Sequence, residues 1–178
     1  KELAEQGVEL CRFHELSDKL QSMLEKYFAS NVMPLLSPQI VGRKQPFPFL
    51  KNKEIYAVAR LRTKSGGERM GIVPCGGGIL RRLVPVPGEG QRFVPVEELV
   101  AGSLSKIFAH YKVEGAVLIR LVRSADIHLE DAAAELDDLA SDGYRKSMEK
   151  MIRRRKRLRP VKLDYQGKLT DTMRDSLC

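Results

Sequence analysis

The stretch from Gly115 to Tyr165 decides the fold: GAVLIRLVRSAD (115–126), IHLEDAAAELDDLASDGYRKSMEKMIRRRKRLR (127–159) and PVKLDY (160–165). It reads as an apolar strand, a long amphipathic helix and a second strand. In the first strand Val117, Ile119 and Leu121 alternate with Ala116, Leu118 and Val122, so apolar side chains leave both faces. Leu136, Leu139, Ala140, Tyr144, Met148, Met151 and Ile152 then recur at three- and four-residue steps and make one helical stripe. Acidic residues (Glu130, Asp131, Glu135, Asp137, Asp138) open that helix and a basic run, Arg153 to Arg159, closes it. Both complement the helix macrodipole.

Upstream, Ser17 is placed to cap a helix whose stripe is Leu20, Met23, Leu24, Tyr27, Phe28 and Val32, and Pro34 stops it. Four prolines between Pro34 and Pro48 make the following segment extended, and the apolar residues between them point to packing against the core. Glu54–Arg62 alternates: Ile55, Ala57, Ala59 and Leu61 face one way, Tyr56, Val58, Arg60 and Arg62 the other. Ser65–Gly67 turns the chain into a return strand over 69–74. Gly76–Gly78 turns it again into ILRRLVPV, and RFVPV leads into a helix from about Glu97 to Phe108. The tail KLTDTMRDSL opens a further helix with no packing partner evident. The expected class is α+β: a mostly antiparallel sheet with helices packed on one face and one long helix between the last two strands.

A chain of 178 residues fits one domain that needs no disulfide or metal to hold it. Cys11, Cys75 and Cys178 are far apart and form no zinc or redox pattern. With no apolar run of ~18 residues, they point to a reducing, cytoplasmic setting without a membrane span. The net charge of +8 calls for a polyanionic partner. Six cations, Arg153, Arg154, Arg155, Lys156, Arg157 and Arg159, crowd one helix end, more than a macrodipole accounts for, and are the candidate polyanion contacts.

The remaining signals have plainer readings. Gly76–Gly78 matches neither phosphate-loop pattern and precedes a strand, so it reads as a turn. His14, His110 and His128 have no second ligand or acid at metal or catalytic spacing. Arg123 shares a face with Val117, Ile119 and Leu121, and Asp126 is placed to form a structural ion pair with it, while Arg120 projects from the opposite face. No catalytic, cofactor-binding or metal residue is assigned.

Five segments fall in a familiar order: EKYFASNVMPLLSPQ, Pro46-Phe47-Pro48-Phe49-Leu50 with Asn52, RFVPVEELVAGSLSKIF, Arg120-Leu-Val-Arg123-Ser-Ala-Asp126 and RRRKRLRPVKLDY. Together they resemble the head (middle) domain of bacterial polyphosphate kinase of the first type. The chain departs from that family in its glycine-rich CGGGILRR path and in Ser37 and Ser124, where Thr and Asn are commoner.

The resemblance implies a cytoplasmic, dimeric transferase, an ATP:polyphosphate phosphotransferase working through a phosphohistidine and Mg²⁺. It also implies that ATP, Mg²⁺ and the catalytic residues belong to other domains of the full-length enzyme, so this chain alone is inactive. Its own part would be dimer assembly and one wall of the basic polyphosphate tunnel. Residues 1–16 would link to an N-terminal helical domain, 17–165 form the head domain and 166–178 lead to the catalytic domains. The alternative is a non-enzymatic, basic RNA-binding α+β module, which the arginine run favours and the shortage of sheet aromatics disfavours.

Overall fold

The computed structural model describes residues 7–42, 47–76, 78, 80–88, 90–123, 160–168, 170 and 173–174. In chain order it contains β1 (Val8–Leu10), α1 (Asp18–Tyr27), β2 (Gln39–Val41), β3 (Ile55–Arg62) and β4 (Glu68–Pro74). These are followed by β5 (Leu83–Pro85), β6 (Gln91–Pro95), α2 (Val96–Gly102), α3 (Leu104–Ile107), β7 (Lys112–Arg123) and β8 (Pro160–Gly167). Five strands form an antiparallel sheet in the order β2-β4-β3-β7-β8. A smaller sheet, β1-β6-β5, pairs β1 with β6 in parallel and β5 with β6 antiparallel. The α+β class and its mostly antiparallel pairing are as expected. The long helix expected between β7 and β8 lies outside the described residues.

The alternation read from β3 and β7 sorts their side chains onto two faces. Ala57, Ala59, Leu61, Val73 and Leu118 share one cluster with Leu24, Phe28, Val32, Leu99, Val100, Leu104 and Phe108, so the described helices cover that face. Tyr56, Val58, Ile72, Val117, Ile119 and Leu121 form the other, beneath Leu50 of the proline-rich segment and Met173 of the tail. Met173 of the tail is therefore packed against the second face of the sheet. Burying Phe28 and Leu24 completely is worth about 1.5–3 kcal/mol each.

Several local expectations change. Ser17 sits at the N-cap, but its side chain makes no capping bond. Its carbonyl accepts from the Gln21 amide at 2.9 Å, and the Gln21 side chain donates to Leu16 O at 2.7 Å. Pro34 has no N–H to return, so the α-helical ladder gives way to a π turn (Phe28–Val32) and then a 3-10 turn (Met33–Leu35). The single helix expected over 97–108 breaks at Ser103, next to Gly102, where a Cβ would come within 2.8 Å of the Phe13 ring. The strand expected in ILRRLVPV begins only at Leu83. Within residues 1–16, expected as a lead-in, Cys11, Phe13 and Leu16 are buried, and the Cys11 amide donates to Phe93 O at 2.8 Å.

Candidate functional site

Two of the segments singled out in the sequence meet at the end of β7. The strap Phe47–Glu54 crosses the second face of the sheet, and Arg123 holds it. The Arg123 guanidinium donates to Leu50 O from Nε (3.2 Å) and Nη2 (2.9 Å). Its Cζ lies 4.4 Å from the centroid of the Phe49 ring. The Arg123 amide donates to the Asn52 side chain at 2.9 Å, and the Lys53 amide donates to Leu121 O at 2.8 Å. Lys53 itself takes a left-handed φ of 61°, the conformation that lets the strap turn back into β3. Below it the Tyr56 hydroxyl accepts from the Lys51 amide (2.9 Å) and donates to Glu54 Oε2 (2.7 Å). Burial first and this carboxylate second push the Tyr56 phenol up to about 12.

The strap forms one wall of a cleft of about 480 Å³, whose far walls are Gly76, Gly78 and Leu80, with Arg82 and Glu97. A second hollow of about 270 Å³ shares Ile55, Arg82 and Glu97 with it and runs on past Leu118 and Arg120 to Asp164 and Tyr165 of β8. Local bonds set each wall. The Val96 amide donates to Arg82 O at 2.7 Å, which brings Arg82 beside the adjacent Glu97, Nη2 to Oε1 3.4 Å. Across β7 and β8, Arg120 lies opposite Asp164 and donates to it from Nη2 (2.8 Å) and Nε (3.2 Å), while Lys162 Nζ reaches the other oxygen at 2.8 Å. Lys162 first and Arg120 second hold the Asp164 carboxyl below its ordinary range. Cys75 lies on the cleft floor with its thiol pushed up to about 12, chiefly by burial, so it is no nucleophile at neutral pH.

A second ionic cluster marks the β-bulge between β3 and β7. The register passes from Arg60↔Gly115 to Leu61↔Val113 and leaves Glu114 as the extra residue. Glu114 accepts from Arg62 Nη2 at 3.0 Å and lies 3.5 Å from Arg60 Nε. Arg62 is the main cause holding the Glu114 carboxyl below its usual range.

The basic run Arg153, Arg154, Arg155, Lys156, Arg157 and Arg159 lies outside the described residues, as do Asp126 and His128. The expected Arg123–Asp126 pair therefore has only its arginine on view. The strap contact of Arg123 was missed because its acceptor, Leu50 O, is a backbone atom that leaves no mark in sequence. His14 and His110 are exposed, His14 with its ring 3.9 Å from the Glu15 carboxylate. Among the described residues no group of His, Cys, Asp and Glu converges as metal ligands would. Nor, among them, is any helix long and apolar enough to cross a membrane.

A family model described as "Polyphosphate kinase middle domain" matches residues 19–178. The chain belongs to the polyphosphate kinase middle-domain family. A polyphosphate kinase of Halalkalibacterium halodurans is 31% identical over 173 residues, covering 95% of this chain and 23% of the relative. One from Thermosynechococcus vestitus is 32% identical over 193 residues, covering 98% of this chain and 24% of the relative. The chain thus spans about a quarter of the length of the curated relatives it matches. The crystal structure of polyphosphate kinase from Porphyromonas gingivalis superposes with a TM-score of 0.69 at 18% identity, over 99% of this chain and 24% of that one. At that identity the likeness speaks to the fold alone.

Proposed function

We propose that this chain is the head domain of an ATP:polyphosphate phosphotransferase, serving dimer assembly and one wall of the polyphosphate path rather than the chemistry. The observation that carries this is the middle-domain match over residues 19–178, within relatives about four times as long. The reacting ATP, its Mg²⁺ and the phosphohistidine would be handled by other parts of the full-length enzyme, in the cytoplasm. Arg153–Arg159 would add a dense cationic surface along the polymer's route. Phosphoryl transfer depends on cations and metal positioned around the moving group. In this reading the domain guides the polymer and other domains supply those groups. The other reading, an RNA-binding module, calls for several aromatics on an open sheet face, whereas Tyr56 of β3 is only 5% exposed and Tyr165 of β8 stands as a single exposed ring.

Full-length protein incubated with γ-labelled ATP and Mg²⁺ tests the proposal. Base-stable, acid-labile label on the protein, together with a lengthening acid-insoluble polymer, is the expected result. A folded full-length protein that takes no label and makes no polymer overturns it.

A further inference from the structure

We propose that the cleft above Ile55 is a binding site for a phosphoanhydride chain, the linked phosphates of a short polyphosphate or of a nucleoside triphosphate. The inference deepens the proposed function by naming a surface, distinct from Arg153–Arg159, on which this domain would hold such a chain.

The cleft sorts its charges by depth. The Glu54 and Glu97 side chains are 9% and 11% exposed, whereas those of Lys51 and Arg82 are both 72% exposed and that of Arg120 is 50% exposed. Each of these cations is tied to a deeper carboxylate: Lys51 to Glu54 (3.9 Å), Arg82 to Glu97 (3.4 Å) and Arg120 to Asp164 (2.8 Å). A ligand entering from solvent meets the cations first. The carboxylates fix where the cations stand, which lowers the cost of ordering long side chains on binding. With Lys53, four cations line the two hollows against three carboxylates, and Lys162 shares Asp164 from outside.

The backbone around the cleft is equally set. Arg123 grips the strap that carries Lys51 and Lys53, and the Val96–Arg82 hydrogen bond fixes the opposite wall. Gly76 leaves room where a Cβ would press against Glu54 Cγ at 3.1 Å. The two hollows, about 480 and 270 Å³, adjoin at Ile55, Arg82 and Glu97, and the larger is in the size range of small-ligand sites. Cations spread along a trough suit linked phosphates better than one isolated anion. Tyr165, 58% exposed at the far end, would distinguish the sources, since a nucleoside can stack on it and bare polyphosphate cannot.

The test titrates this chain by calorimetry with tripolyphosphate, ATP and orthophosphate at physiological salt. Tripolyphosphate or ATP should bind well above orthophosphate, and ATP tighter than tripolyphosphate would assign the site to a nucleotide. Arg82→Ala and Lys53→Ala should each weaken binding by roughly tenfold, the loss of one charge-assisted contact. Arg81→Ala removes the same charge one residue away, at an exposed position outside the cleft lining, and should change affinity less than twofold. Unchanged melting temperatures would show that the variants are folded. Equal losses in the Arg81 and Arg82 variants, binding no tighter than orthophosphate, or preference for an RNA oligonucleotide over both ligands would each overturn the site. The readout is binding, so absent polymer synthesis by the full-length enzyme with cleft binding intact would sink the enzymatic reading alone.

Discussion

Arg123 ends β7 with its guanidinium on Leu50 O and against the Phe49 ring, and its role follows from that geometry. A charge-assisted bond to a half-buried carbonyl contributes about 1.5–3 kcal/mol, and the planar fork reaches one oxygen from two nitrogens while its Cζ stands over the ring. Arg123→Ala should therefore lower the unfolding free energy by about 2 kcal/mol in urea titration. Arg123→Lys should recover less than half of that, because an ammonium cannot donate twice and stack at once. Full recovery by lysine would mean that charge alone matters there and the clasp is incidental. Sequence parity placed Arg123 on the face of Val117, Ile119 and Leu121, where it is found. It could not place the Leu50 carbonyl, because nothing in the residue type at position 50 records what its backbone oxygen accepts.

At the scale of elements, the strands were more legible than the helices. β3 and β7 announce themselves because alternation has the period of the pleat and both faces are apolar. The break at Ser103 was hidden because Leu99, Val100, Leu104 and Ile107 keep helical spacing straight through it. What interrupts the helix is tertiary: Gly102 faces Phe13, from a segment the sequence presented as lead-in. A similar close approach joins α3 to the sheet. At Gly71 of β4 a Cβ would lie 2.6 Å from two atoms of the Phe108 ring and 3.0 Å from Leu61 Cδ1. Gly71→Ala must push Phe108 off the sheet, an overpacking cost of about 1–3 kcal/mol. A drop in unfolding free energy of that size in chemical denaturation, relieved by Phe108→Leu in the double variant, is the expected outcome. Additive losses would show that the two positions are not in conflict.

For the whole molecule, the sheet is a wall between two apolar clusters, and the chain seals each one with residues remote in sequence. The first cluster needs Cys11, Phe13 and Leu16 from the beginning of the chain, and the second needs Leu50 and Met173. The family match begins at residue 19, yet β1 already pairs with β6, and Phe13, in a 3-10 turn over Phe13–Glu15, lies against Gly102 of α2. The scattered apolar positions of residues 8–16 carried no period, so the sequence could not reveal this packing. If the segment were only a connector, removing it would leave the stability of the remainder unchanged. Phe13 is 8% exposed, and Phe13→Ala should cost about 3 kcal/mol or more through the cavity it leaves. Deleting residues 1–16 removes three buried side chains and one of the two partners of β6, a loss of roughly 5 kcal/mol that approaches the whole stability of a typical domain. Urea unfolding of the intact chain, the Phe13 variant and a chain starting at Ser17 would order them in that sequence. A truncated chain as stable as the intact one would place the domain boundary at residue 17 and make the β1–β6 pairing dispensable.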